Sequence, residues 1–322
     1  MSHPPPGSAA PARPTLAAVI PARDPGADLG RLLEGIAGLG IFDEVVLVDD
    51  GSDPPLAPGP LPVPLRLIRF ETPQGAGRAR NAGIEHVGTT HLICIDADDA
   101  VTGELALLWG DLCGAEFDFC LFSHADSRVA GHGIWGQTAH DRGLWIAAGL
   151  DRARLAPVGD AAARQLAQTA AYPWNKIYCT AFLRDHAIRC AETRTHNDIP
   201  LHWGGFLAAG RILASNRICI WHRIGQPGQI SAQAGGDRLE LFDTLGRIAR
   251  RIGPDSPWLL PFAAFSSRLF DWTVTRIDAS EAAIFAARRS TFLAGLLPAA
   301  PFARLVRERP LVARRVIRQL SP

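Results

Sequence analysis

A chain of 322 residues and 34.6 kDa is long enough for one large core, or for two compact lobes at most. Its 33 basic and 32 acidic residues leave a formal charge of +1. That balance excludes a nucleic-acid binder held mainly by phosphate neutralisation, while an anionic small molecule stays open as a partner. No run reaches the roughly 18 uncharged apolar residues of a membrane-spanning helix, and the six cysteines form no C-x-x-C pair, so they read as buried free thiols.

Residues 1–14, MSHPPPGSAAPARP, lack the basic start and apolar middle of a signal peptide. They read as a disordered lead-in, which points away from export and towards a cytoplasmic protein. Short apolar runs predict strands over 16–20, 44–48, 65–70, 91–95 and 117–122, with helix-spaced apolar residues over 29–39 and 77–86 between them. The stretch 54–64 is too proline-rich for anything but loop. This order predicts an α/β fold, a mainly parallel central sheet with helices on both faces. Val45 to Val48 shows no polar alternation, as expected of a strand buried on both sides.

From about residue 131 the pattern turns to Ala-rich helices with scattered tryptophans, and strand character returns only at 217–221. Two amphipathic helices follow over 237–252 and 256–277, and the tail 302–320 is broken at Pro310. That tail carries Arg304, Arg307, Arg309, Arg314, Arg315 and Arg318 against Glu308, interleaved with apolar residues. Such a helix either lies on an anionic membrane surface or docks on the body by its apolar face.

Two of the apolar strands end in carboxylates, the second in Asp49-Asp50-Gly51-Ser52-Asp53 and the fourth in Asp96-Ala97-Asp98-Asp99. In an open parallel sheet the carboxyl ends of the strands share one edge, and ligands bind there at the point where strand order reverses. Two ionised carboxylates about 4 Å apart repel by about 4 kcal/mol at an effective dielectric near 20, so a cation is expected among them. Mg²⁺ or Mn²⁺ bridging to substrate phosphates fits. On an extended chain Asp96 and Asp98 would point the same way, with Asp99 turning in from the loop. The local alternative is that Asp50-Gly51 is only a turn and Asp99 only a helix cap.

The segments V-I-P-A-R-D (19–24), V-D-D-G-S (48–52), G-R-A-R-N-A-G-I (77–84) and D-A-D-D (96–99) resemble the family 2 glycosyltransferases, over about residues 15–225. The resemblance implies a GT-A fold and an inverting, metal-assisted reaction in which a hexose leaves a UDP- or GDP-sugar for a glycan or lipid-linked acceptor. It divides the chain into a GT-A domain over 15–230, whose nucleotide half is 15–125 and acceptor half 126–230, and a helical extension over 231–322. Within the donor half it implies nucleotide-sugar contacts from Pro21, Ala22, Arg23, Asp49, Asp50, Arg80, Asn81, Asp96, Ala97 and Asp98. Metal contacts would come from Asp98, Asp99 and His222. The family often has an aromatic or Tyr-Asn pair where this chain has Ala22-Arg23-Asp24.

Further on, P-W-N-K-I-Y (173–178) resembles the acceptor segment of bacterial capsule and lipopolysaccharide sugar transferases, implying acceptor or diphosphate roles for Asn175, Lys176, Trp203 and Arg223. Asn197-Asp198 stands where those enzymes usually carry Glu-Asp, which makes Asp198 the expected general base, with an N-cap as the plain alternative. Because Asn197 removes one charge, a catalytically impaired nucleotide-sugar-binding protein of the same fold is the competing reading. A nicotinamide-dependent dehydrogenase is excluded because Gly75-Ala76-Gly77 is followed by Arg at position 80, where the third glycine is required.

Overall fold

The first, second and fourth apolar runs do form adjacent strands, and each sends alternate side chains into two separate cores. The computed structural model describes residues 13–133, 135–224 and 235–320. Residues 1–12 of the expected lead-in and the loop 225–230 lie outside the described residues.

In chain order the elements are β1 (Leu16–Ala22), α1 (Ala27–Leu39), β2 (Glu44–Asp49), β3 (Leu65–Arg69), α2 (Ala76–His86), β4 (His91–Cys94), β5 (Ala100–Val101) and α3 (Gly103–Leu112). Next come β6 (Phe119–Asp126), α4 (Ser127–Ala130), α5 (Ala139–Ala147), β7 (Ala156–Pro157), α6 (Asp160–Leu166), β8 (Lys176–Cys179), α7 (Thr180–Asp185), α8 (Ile199–Ala208) and β9 (Ile212–His222). The chain ends in α9 (Leu241–Ala249), α10 (Leu259–Thr273), α11 (Ala282–Leu296), α12 (Ala299–Glu308) and α13 (Pro310–Leu320).

The strands form one sheet in the order β3-β2-β1-β4-β8-β6-β9-β5, with β7 paired to β9. The half β3-β2-β1-β4 is parallel throughout. Beyond it the sheet is mixed, because β8 runs antiparallel to both β4 and β6. That strand is absent from the sequence reading for a physical reason: it has four residues, and the first is a lysine buried in the sheet.

Ala17 and Val19 of β1, Val46 and Val48 of β2, and Leu92 and Cys94 of β4 enter one core with α2, α8 and α9 to α13. Their neighbours Ala18, Ile20, Val45, Leu47, Ile93 and Ile95 enter the other, with α1 and α3. The period-two alternation of a strand buried on both faces thus distributes the helices. The C-terminal helices complete the first core, which runs without a break from Ala17 to Val316. No helix of the described residues is long and apolar enough to cross a membrane.

Helix α2 lies unusually close to its neighbours, and its glycines allow it. A Cβ at Gly83 would lie 2.3 Å from Val19 Cγ1, and one at Gly77 would lie 2.0 Å from the Ala191 carbonyl oxygen and 2.8 Å from Asn197 Cβ. The spacing of these two glycines therefore presses α2 onto β1 and onto the 191–197 segment, which sets the position of the side chains between them. Alanine is the better helix former by about 1 kcal/mol, yet Val19 is buried and β-branched and has little room to turn away. Gly83→Ala is expected to lose about 1–2 kcal/mol net through overpacking, read as a lowered denaturant midpoint with an unchanged slope.

Candidate active site

Strand order reverses at β1, which has β2 on one side and β4 on the other. The carboxyl ends of these strands therefore border the crevice in which such sheets hold ligands.

At the end of β2 the two carboxylates organise loops. Asp49 is fully buried and accepts from the backbone N–H of Ser52 at 2.8 Å, from that of Leu56 at 3.1 Å, and from the Arg69 guanidinium. Burial works against its charge, but the bonds from Ser52, Leu56 and Arg69 outweigh it and hold the carboxyl below its usual range. Asp50 accepts from the N–H of Gln74 at 2.6 Å and of Gly75 at 2.9 Å, and so ties the start of α2 to β2. Pro21 and Ala22 are buried at the end of β1, and Arg23 beyond them is exposed beside Asp24 at 3.6 Å.

After β4 the chain does not stay extended. The N–H of Asp99 donates to the Asp96 carbonyl at 3.1 Å, so Ala97 and Asp98 sit in a turn, which corrects the expected alternation of Asp96 and Asp98. The turn does what an extended segment would not: it brings ligand oxygens of Asp96, Asp98 and Asp99 within 4.8 Å of one another. Asp99 is no helix cap, since Thr102 occupies that position of α3. Its Oδ1 accepts from His222 Nδ1 at 2.9 Å and from the Arg223 N–H at 3.0 Å. Its Oδ2 is buried with no hydrogen-bond partner.

Burial raises the pKa of Asp99, with Asp96 and Asp98 adding to the effect and His222 opposing it. Burial likewise opposes a charge on His222, but the bond to Asp99 outweighs it and raises that pKa as well. An unpaired buried carboxylate oxygen beside two further carboxylates fits a hard divalent cation, which takes oxygen ligands and offsets their repulsion.

Arg80, on α2, joins this turn to the opposite wall. Its Nη2 donates to Asp96 Oδ1 at 2.5 Å and its Nη1 to Asn197 Oδ1 at 2.8 Å, with the side chain buried. The adjacent Asn81 exchanges two bonds with Cys190, donating to its carbonyl at 3.1 Å and accepting from its N–H at 2.9 Å. Asn197, which stands where a glutamate was expected, is thus the acceptor for a buried guanidinium.

Asp198 follows directly, at the start of α8, and its carboxylate makes no capping bond to that helix. Burial pushes this carboxyl up to about 6, with Arg80 and Lys176 opposing and Asp96 adding. Lys176 is wholly buried on β8, where its Nζ donates to the Tyr172 carbonyl at 2.9 Å and to Asn175 Oδ1 at 2.6 Å. Burial pushes Lys176 down to about 7, while the negative charge of Asp198 and Asp141 works the other way.

One residue expected to meet the acceptor or the diphosphate stands elsewhere. Trp203 is fully buried, with ring centroids 5.0 Å from Phe262 and 5.4 Å from Phe265 of α10. It anchors α8 and has no face to offer an acceptor, because large apolar rings at helical spacing pack into the core by default. Arg223, whose N–H bonds Asp99 of the acidic turn, pairs through Nη1 with Asp28 of α1 at 2.7 Å.

A layer of the site is missing from the sequence reading. Tyr172 stacks on Trp174 at 4.3 Å, and the His222 ring lies against both at 5.1 and 4.8 Å. His124 meets the same two rings edge-on, and Arg128 links Asp126 to the Tyr172 hydroxyl at 2.8 Å. The signal was present: β6 also runs from an apolar stretch into polar residues, Ser123, His124 and Asp126, and its register sets Asp126 beside His222.

A half-parallel sheet carrying an acidic turn at its switch point, faced by a carboxylate-bearing helix, is the GT-A class of α/β fold. Residues 17–156 match the model of glycosyl transferase family 2. That segment is a domain of the family, whose members are nucleotide-sugar glycosyltransferases. The S. aureus TarS 1–349 crystal structure is similar over 95% of this chain and 89% of that one, with 18% identity and a TM-score of 0.66. TarS 1–349 has also been crystallised in complex with UDP-GlcNAc. The mannosyltransferase PcManGT from Pyrobaculum calidifontis, in complex with GDP-Man and Mn²⁺, is similar over 96% and 86% of the two chains, with 14% identity and a TM-score of 0.53. At these identities the likeness is one of fold. No curated protein sequence matches the chain.

The bridge through Arg80 generates a structural prediction. Lysine offers a point charge where two separate acceptors require a planar fork, so Arg80→Lys is expected to lose about 2–3 kcal/mol of stability by leaving buried groups unpaired. Chemical denaturation measures this; a variant as stable as the parent would mean that the bridge contributes nothing to the fold.

Proposed function

We propose that the chain is an inverting glycosyltransferase that moves a hexose from a UDP- or GDP-sugar to a hydroxyl of a glycan or lipid-linked glycan. The observation that carries the reading is Asp198: a carboxylate that caps nothing, is raised to about 6 by burial, and is held through its neighbour Asn197 to the Arg80–Asp96 pair at the acidic turn. A general base works best with a pKa near the operating pH. In the proposed step the acceptor hydroxyl gives its proton to Asp198 as its oxygen bonds to the anomeric carbon. The bond from that carbon to the donor diphosphate breaks on the opposite face, and its electron pair leaves with the nucleoside diphosphate.

Asp96, Asp98 and Asp99 would hold Mn²⁺ or Mg²⁺, which when bound supplies positive charge against the departing diphosphate. His222, whose Nδ1 is bonded to Asp99, would orient that carboxylate. Arg80 and Asn81 would fix the donor wall, and Asn175 would hold Lys176 under the acceptor floor. The UDP-GlcNAc of the TarS complex and the GDP-Man and Mn²⁺ of the PcManGT complex support a nucleotide-sugar donor with a divalent ion. Asn197 has a bonding role of its own as the acceptor for Arg80, so its departure from the usual glutamate gives no separate support to an impaired enzyme.

Asp198→Asn is expected to lower turnover by about 10²–10⁴ with little change in donor affinity, followed as release of nucleoside diphosphate. In the parent, kcat/KM should rise with pH through about 6 as Asp198 ionises. The same raised pKa means that the folded state binds this proton more tightly than the unfolded state. Its contribution to stability is present at low pH and is lost as pH climbs through about 6. Asp198→Asn should therefore be more stable than the parent at pH 8, whereas loss of both stability and turnover would make Asp198 a structural residue. A second test concerns the ion: Mn²⁺ should raise the melting temperature of the parent and leave that of Asp99→Asn nearly unmoved. A parent that does not respond to Mn²⁺ in the presence of UDP or GDP would remove the metal from the reading.

A further inference from the structure

The C-terminal helices present two faces of different character. On the inner face Leu305, Ala313 and Val316 are buried in the core shared with the sheet. Gln319 donates to the Ser267 carbonyl and to Asp271 Oδ1, both at 2.7 Å. Four of the tail's arginines also bond to the body: Arg304 donates to the Ser256 carbonyl at 3.3 Å, Arg309 to Gln168 Oε1 at 3.1 Å, and Arg315 and Arg318 pair with Asp271 at 3.3 and 3.2 Å. The docking of α12 and α13 on the body is thus complete without the outer face.

That outer face carries Leu311 at 76% exposure, Ile317 at 50% and Val306 at 46%. Between them stand Arg314, which is exposed, and the side chains of Arg307 and Arg318, 72% and 69% exposed. Along α13, Leu311, Arg314 and Arg318 follow the three- and four-residue spacing of one helix face. The acid on this face, Glu308, is occupied by Arg307 at 3.3 Å. Leucine and isoleucine held in water between guanidinium groups match an interface whose apolar layer lies just beneath a layer of phosphates. The aliphatic stems of the arginines can lie along the apolar layer while their forks bond phosphate oxygens.

We propose that this face of α12 and α13 seats on an anionic lipid bilayer. Charge complementarity selects that occupant. A second copy of the chain docking by the same face across a two-fold axis would bring arginines against arginines, while a zwitterionic bilayer lacks the net negative surface charge that attracts exposed guanidinium groups. The inference is independent of the reaction catalysed at the crevice.

Flotation of the full chain with phosphatidylcholine vesicles, with and without phosphatidylglycerol, tests it. Binding is expected only to the anionic vesicles, and should weaken as salt is raised. Leu311→Asp and Arg314→Glu should each lower the bound fraction by about tenfold, with melting temperature and lipid-free donor turnover unchanged, since both side chains lie outside the core and the crevice. Three results would overturn the proposal: equal binding to both vesicle types, no binding to anionic vesicles at low salt, or full binding by both variants. Self-association without lipid that Leu311→Asp abolishes would assign the face to a second copy instead.

Discussion

The guanidinium of Arg80 is the point on which the crevice depends. It is buried on α2 and bonded on one side to Asp96, in the turn after β4, and on the other to Asn197, at the entrance to α8. Those elements belong to different halves of the chain, and a buried arginine with two directed bonds fixes their separation more tightly than apolar packing alone, which tolerates sliding. The close approach of Gly77 to Ala191 and Asn197 delivers the guanidinium to that position. A glutamate at 197 would pair with Arg80 as an ion; the asparagine accepts the same bond while adding no charge beside Asp198.

Carboxylates at the strand ends divide into two groups by what surrounds them. Asp49 and Asp50 receive backbone N–H groups and Arg69, so their charge is spent on shaping the loops that lead to α2. Asp99 is served on one oxygen only, its other oxygen being buried and unpaired. A carboxylate satisfied by its own chain lowers the energy of the fold, and one left half satisfied keeps an oxygen free to meet a ligand. The acidic turn and the acidic strand end, which look alike in the sequence, thereby acquire different work.

The parallel half of the sheet and its acidic ends were legible in the sequence because each rests on a local signal. A run such as Val45 to Val48 declares a doubly buried strand, and a carboxylate cluster immediately after such a run declares a strand end at a crevice. What was not legible depends on partners distant in the chain. Strand β8 has a buried lysine at its head, which reads as loop until Tyr172 and Asn175 are known to receive its protons. The resemblance implies an acceptor or diphosphate role for Trp203, and only the arrival of Phe262 and Phe265 from α10 buries it. The aromatic layer of Tyr172, Trp174, His124 and His222 is assembled by the register of β6 on β9, which no window of sequence contains.

The burial of Trp203 links the C-terminal helices to the helix that carries the proposed base. Asp198 stands at the first turn of α8, and α8 is held from beneath by Trp203 packed on Phe262 and Phe265. Helix α10, which supplies those rings, is clasped from its other side by α13 through the bonds of Gln319 to Ser267 and Asp271. A ring seated in a packed aromatic cluster transmits displacement because an interior at crystal-like density has no slack to absorb it. The orientation of the proposed base is therefore set from two directions, by Arg80 through Asn197 on the donor side and by α10 through Trp203 from below. Whatever rests on the outer face of α13 is two helices away from Asp198, the proposed base.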